Sequence, residues 1–312
     1  MNQVSKIILS IVVIILFYSI LVIYSDVSKI NQNFSKIQIN HVIPIIGIYI
    51  IAIFVGGLRQ KFLLNKLGLK INIIDNFLIF IAGLSMIITP AGSGLLIKTY
   101  YMKKKLGYQL SKTFPLVVIE RFSDLIVVSS LLLVSLFMYF SEITLIVSII
   151  SFSVLGIFVF SIANKRSFNI LKFFLGKIPI ISLKLEEANE FDTNIINLLK
   201  FRTISTSLII TTVGVLLESL VVYFAFNTFN IELPYLETTQ IFYTSIVGGI
   251  LSLIPGGVGI TESSFVSLLT QKNIPIDLAT SLIIFIRMTT IWFATMLGVI
   301  FSIFILKNKS NK

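Results

Sequence analysis

No cysteine occurs anywhere in the 312 residues, which removes disulfides, zinc ribbons, redox pairs and thiol nucleophiles together. Histidine is nearly absent too. His41 stands alone, leaving no basis for a His-rich metal site or a Ser-His-Asp triad, and neither a metal nor another cofactor is expected. At the start of an apolar run, His41 reads as an interfacial residue. Charge is also scarce, at 12% of residues where a soluble domain carries about 25%. Hydrophobic residues make up 56%, in runs that recur from end to end. The chain is therefore predicted to be an all-α, polytopic integral membrane protein.

The charge that remains is lopsided, with a formal net of +11. In a soluble protein that would suggest nucleic acid. Here the lysines stand in short stretches between apolar runs, where they act as topology determinants and contacts for anionic headgroups. No nucleic-acid partner is expected.

Six runs are long enough to cross a bilayer: Ile7–Tyr24, Val42–Leu58, Phe114–Phe140, Ile143–Ala163, Ile204–Phe229 and Ile276–Leu306. No small-residue cleavage site follows the first, so it reads as a retained helix rather than a signal peptide. Two further apolar stretches are interrupted. Ile73–Ile97 is broken at Pro90-Ala91-Gly92-Ser93-Gly94, and Ile241–Leu269 at Pro255-Gly256-Gly257-Val258-Gly259. Proline removes a helical hydrogen bond and clustered glycines remove helix propensity, so neither is one regular helix.

Charge then decides how the broken stretches run. Arg59 to Lys70 has four positives and no acid; Lys98 to Lys112 has five and none; Asn164 to Thr203 has seven against four acids. Lys307, Lys309 and Lys312 lie at the C-terminus, whereas Asn230 to Glu237 holds only Glu232 and Glu237. If both broken stretches crossed, the positive-inside rule would fail three times. If both are re-entrant hairpins, all basic segments and both termini are cytoplasmic, and the acidic segment lies outside. The prediction is about six full crossings plus two re-entrant hairpins in the cell membrane of a prokaryote.

An internal repeat emerges from the same reading. Gly83, Pro90, Gly92 and Gly94 match Gly248, Pro255, Gly257 and Gly259 at a constant offset of 165. Arg121 follows Pro90 by 31 residues, and Arg287 follows Pro255 by 32. Repeat one spans about 42–140 and repeat two about 204–306, inverted relative to one another. Between them, 164–203 carries Phe168, Ile170, Leu171, Phe173, Phe174 and Leu175 among lysines, an amphipathic connector on the inner surface. Paired broken helices in inverted repeats point to a transport site at the breaks.

Ionisable side chains within apolar spans cost about 2.5–3.5 kcal/mol each on insertion scales. Six are counted: Glu120, Arg121, Asp124, Glu218, Glu262 and Arg287. Glu120 and Asp124 share a helix face, with Arg121 beside them. Glu262 starts the returning half-helix of the second break, within reach of Arg287. The expected site is a polar cavity between the repeats. Backbone at Pro90, Gly92, Gly94, Pro255, Gly256, Gly257 and Gly259 approaches the ligand there, and Arg121 and Arg287 bind a phosphate. Glu120 or Glu262 would bind a cationic headgroup or relay protons. The competing reading is that these charges are buried salt bridges fixing helix register.

Pro90-Ala91-Gly92-Ser93-Gly94, Glu120-Arg121-Phe122-Ser123-Asp124 and Pro255-Gly256-Gly257-Val258-Gly259-Ile260-Thr261-Glu262 resemble the lysylphosphatidylglycerol synthase transmembrane family, flippase-like proteins of bacteria and archaea. The resemblance covers nearly the whole chain. It implies a lipid flippase or a membrane partner of a lipid-modifying enzyme. Larger relatives fuse this region to a soluble aminoacyltransferase or glycosyltransferase, and neither is read in this sequence. The first break departs from the pattern, with no acid matching Glu262. The leading expectation is translocation of a phosphate-bearing lipid, with or without an aminoacyl or sugar substituent on the headgroup. The alternatives are a phosphatidylglycerol lysyltransferase, or its membrane subunit, and a non-transporting scaffold in envelope glycolipid synthesis. Expected partners are a membrane phospholipid or lipid-linked substrate, with a separate soluble transferase and a second copy of the chain left open. Arg287→Ala and Glu262→Ala are expected to abolish activity without loss of folded protein.

Overall fold

A computed structural model describes residues 26–89, 94–164 and 185–307, and these are mostly helical, with no strand among them. The span Ile7–Tyr24, the breakpoint residues Pro90 to Ser93 and the aromatic part of the connector lie outside the described residues. A short helix, α1 (Val27–Ser35), is capped by the Asp26 carboxylate accepting from the Ser28 amide at 3.0 Å. It precedes α2 (Ile39–Lys66), 28 residues and about 42 Å long, well beyond the ~30 Å hydrocarbon core. After α3 (Ile73–Gly83), the 3-10 turn Leu84–Met86 and α4 (Ile97–Leu106) come α5 (Leu110–Leu136) and α6 (Glu142–Ala163). The second half holds α7 (Leu185–Leu198), α8 (Phe201–Thr228), α9 (Tyr235–Leu251) and α10 (Ile260–Thr270). It ends with α11 (Ile276–Arg287), a π segment (Met288–Trp292) and α12 (Phe293–Lys307).

Four continuous helical stretches are long and apolar enough to cross a membrane: Ile39–Lys66, Glu142–Ile162, Phe201–Thr228 and Ile276–Lys307. The 27-residue α5 has the length but carries Lys112, Glu120, Arg121 and Asp124. Ile39, Ile74, Phe137, Met138, Phe201 and Ile209 stand exposed on outer faces. Such apolar surface is untenable in water and expected against lipid. The molecule is a multi-pass α-helical membrane protein.

The interrupted stretches are too short to cross. The α3 helix and its 3-10 turn, 11 and 3 residues, span about 21 Å, and α4, at 10 residues, about 15 Å. The α9 and α10 helices, 17 and 11 residues, span about 26 and 16 Å. Each pair packs on itself as a hairpin. An ion pair joins the two ends of each. Asp75, third residue of α3, binds Lys105 near the end of α4; Glu237, third residue of α9, binds Lys272 just after α10. Each stretch therefore starts and finishes in one place.

Packing follows the same plan in both halves. The long helices α2 and α8 pack together, α2 contacts α3 as α8 contacts α9, and α4 meets α5 as α10 meets α11. The halves also interlock. A Cβ on Gly298 of α12 would fall 2.1 Å from the Ser85 amide nitrogen, so only glycine permits that approach, and Ser302 donates to the Ala82 carbonyl at 3.0 Å. The described part of the connector, α7, lies against α5, with Phe191 stacked on Phe114 at 5.4 Å.

Two charged residues fall elsewhere than the apolar runs suggest. Helix α2 continues eight residues beyond Leu58, so Arg59 is buried inside it rather than in a loop. Lys98 lies in the first turn of α4 and is 1% exposed. Both are neutralised by carboxylates on α5, which is why a helix can hold them.

Candidate functional site

The second break is shaped by its glycines. Gly256, Gly257 and Gly259 have φ of 64°, 63° and 95°, the left-handed region that side chains disfavour. The chain thus turns sharply before α10. Glu262, in the first turn of α10, accepts from the Gly259 amide at 2.7 Å through Oε2, satisfying a donor that the new helix cannot. Its Oε1 lies 2.9 Å from Arg287 Nε. Arg287 in turn donates from Nη1 to the Gly256 carbonyl at 3.0 Å, an acceptor exposed by the break. Both side chains are buried, yet Arg287 Nη2 has no hydrogen-bond partner.

The first half carries an equivalent bond with its charges exchanged. Lys98, four residues after Gly94, pairs with the fully buried Glu120 of the following helix, its ammonium 5.2 Å from the Phe80 ring centroid. The returning helix supplies the cation there and the anion in the second half. The acid missing beside the first break is thus replaced by a lysine. Its sequence signal is position: Lys98 follows its glycine by four residues, as Glu262 follows Gly259 by three.

Between the halves lies a cavity of about 450 Å³, lined from α2, α3 and its 3-10 turn, α5, α8, α9, the second break, α10, α11 and the π segment. That is within the range of small-ligand sites. Its walls are mostly apolar, including Phe80, Leu125, Ile210, Phe242 and Ile250, and its charged lining is Arg59, Arg121, Asp124, Glu218 and Arg287. Asp124 is shared. Its Oδ1 takes Arg59, which also donates to Thr211 Oγ1 at 2.7 Å, and its Oδ2 takes Arg121 at 2.7 Å. The Arg121 side chain stays 45% exposed. Glu218 accepts from the Tyr243 hydroxyl at 2.8 Å. Three arginines against two carboxylates leave the lining at +1 when all are ionised.

Of the residues singled out from sequence, Arg121, Asp124, Glu218, Gly256, Gly257 and Arg287 meet at this cavity. Glu262 stands behind Arg287 as its holder, and Glu120 is buried against Lys98. Pro255 and Gly259 shape the turn without lining the space, and Gly94 is packed against Met86 and Thr89. Pro90 and Gly92 are outside the described residues. Arg59, Thr211 and Tyr243 join the site without having been foreseen. Arg59 had a signal, as a lone arginine directly after an apolar run; a threonine and a tyrosine in apolar helices have none. The arginine fork suits bidentate binding of a phosphate, and the apolar walls suit hydrocarbon.

Similar sequences occur among archaeal membrane proteins. A UPF0104 membrane protein of Methanothermobacter thermautotrophicus is 28% identical, over 80% of this chain and 78% of its own. One from Pyrococcus horikoshii is 25% identical over 93% of both, and one from Methanocaldococcus jannaschii is 22% identical over 99% and 98%. The model of the lysylphosphatidylglycerol synthase TM region matches residues 7–298, and the chain belongs to that family.

Proposed function

We propose that this protein moves a phosphate-bearing amphipathic lipid, with or without an aminoacyl or sugar substituent, between the leaflets of a prokaryotic cell membrane. The observation that carries this reading is the cavity: arginines in excess over carboxylates in a mostly apolar chamber, between two hairpins that each return to their own side. In the proposed topology α5, α6 and α8 all cross. The mouth of the first hairpin then lies in the cytoplasm with both termini, and that of the second lies outside. The two repeats are inverted, as in secondary transporters, whose substrate sites lie at the repeat interface. Phosphate engages Arg121 and Arg287, Nη2 of the latter being unpartnered, while acyl chains remain along the apolar walls and in the bilayer.

The test is reconstitution into liposomes with a fluorescent phosphatidylglycerol and a membrane-impermeant quencher. Quenching should exceed the outer-leaflet fraction seen in protein-free vesicles. Folded protein that gives no excess would overturn the reading. The family description raises a second one, the membrane part of a lysylphosphatidylglycerol synthase. Formation of lysylphosphatidylglycerol from charged tRNA and phosphatidylglycerol by this chain alone would establish that enzyme instead. Formation only with an added soluble transferase would make the chain its membrane partner.

A further inference from the structure

Each of three membrane-span carboxylates is committed to a cation. Glu120 is held by Lys98, Asp124 by Arg59 and Arg121, and Glu262 by Arg287. Glu218 differs. It lines the cavity, and among the described residues no cation lies within ion-pairing distance of it. Its partner is the Tyr243 hydroxyl, at 2.8 Å from Oε2 and 3.3 Å from the Val215 carbonyl. A phenol between a carboxylate and a carbonyl serves two charge states. It donates to Glu218 when the carboxylate is ionised; when Glu218 is protonated, the acid donates to the phenol oxygen and the phenol turns its hydrogen to Val215.

We infer that Glu218 is the proton-binding site of the cavity, taking up a proton from cavity water together with the anionic ligand and releasing it when the ligand leaves. The groups facing it are Tyr243 from α9, Tyr49 and Arg59 from α2, and Arg121 and Asp124 from α5. From α11 comes Arg287, in the same cavity; Asp277 in the first turn of α11, and Glu190 (bonded to Ser111 and Lys112) and Asp192 on α7, belong to elements packed against α8 but do not line the cavity. Proton binding at Glu218 raises the cavity lining from +1 to +2, because three arginines then face Asp124 alone. A phosphate therefore binds the protonated cavity more tightly, and the proton binds the phosphate-loaded cavity more tightly by the same factor. This proton coupling rests on the leaflet-transfer reading; the proton site does not.

The experiment has two arms. In lipid nanodiscs, acid-minus-neutral infrared difference spectra of wild type, Glu218→Gln and Tyr243→Phe read the protonated carboxyl band directly. The expected result is a pH-responsive band in wild type that is missing from Glu218→Gln and displaced in Tyr243→Phe. A band unchanged in Glu218→Gln, or no pH-responsive band in wild type, overturns the proton site, whether or not the protein moves lipid. In proteoliposomes, fluorescent phosphatidylglycerol transfer is measured with the pH gradient imposed in each direction. Transfer should be faster toward the alkaline side, the direction in which protons run downhill, and this difference should vanish in Glu218→Gln. Equal wild-type rates in both directions overturn the coupling. No wild-type transfer, with the band present and lost in Glu218→Gln, leaves the proton site standing and removes the leaflet-transfer reading.

Discussion

Glu262 divides its two oxygens between the start of α10 and Arg287, so one side chain both fixes the break and holds a cavity arginine. Removing it strands a buried guanidinium, and breaking a buried pair from one side costs about 3–5 kcal/mol. This runs against the expectation that Glu262→Ala loses activity without loss of folded protein: a large loss of stability should accompany it. Lys98→Ala should behave alike, leaving Glu120 unpaired, whereas Lys98→Met with Glu120→Leu should recover most of the loss. Denaturant unfolding in detergent measures all three. Arg121 is the contrasting case. Its side chain is 45% exposed and Asp124 keeps Arg59 without it. Arg121→Ala should cost under about 1 kcal/mol while lowering lipid transfer, a separation between stability and activity that Glu262→Ala cannot give.

At the scale of the element, the two hairpins were legible because proline and clustered glycine are unambiguous helix breakers, and the left-handed angles at Gly256, Gly257 and Gly259 bear this out for the second. What the pattern concealed was how far helices extend beyond an apolar run. A charge at a run's end reads as loop, yet Arg59 and Lys98 are drawn inside by carboxylates 65 and 22 residues away, partners that no local window reveals. Register is also finer than the sequence match implied. Gly249, not Gly248, makes the close contact in the second hairpin: a Cβ there would sit 3.2 Å from Gly257 Cα, while Gly248 faces open space. The ion pairs at the hairpin mouths separate by burial. Lys105→Ala should change stability by less than about 1 kcal/mol, its partner Asp75 being 20% exposed. Lys272→Ala should cost more, since Glu237 is 8% exposed and would be left unpaired. Thermal unfolding of both variants in one detergent checks the order.

For the whole molecule, topology is the question that accessibility answers, and a chain without cysteine needs no background substitutions for it. Gln109→Cys, between α4 and α5, and Gln271→Cys, after α10, both occupy exposed positions. An impermeant maleimide should label the second on intact cells and the first only after lysis. Labelling of both from one side would remove the inverted arrangement. The charge-exchanged pairs, Lys98 with Glu120 and Glu262 with Arg287, bear on how such a chain assembles. Two similar hairpins enter the same bilayer, and each must find its own following helix. Were α4 to dock against α11, Lys98 would face Arg287; were α10 to dock against α5, Glu262 would face Glu120. Either error buries two like charges without relief, so the exchanged polarity works as a key that lets each half recognise itself and refuse its twin.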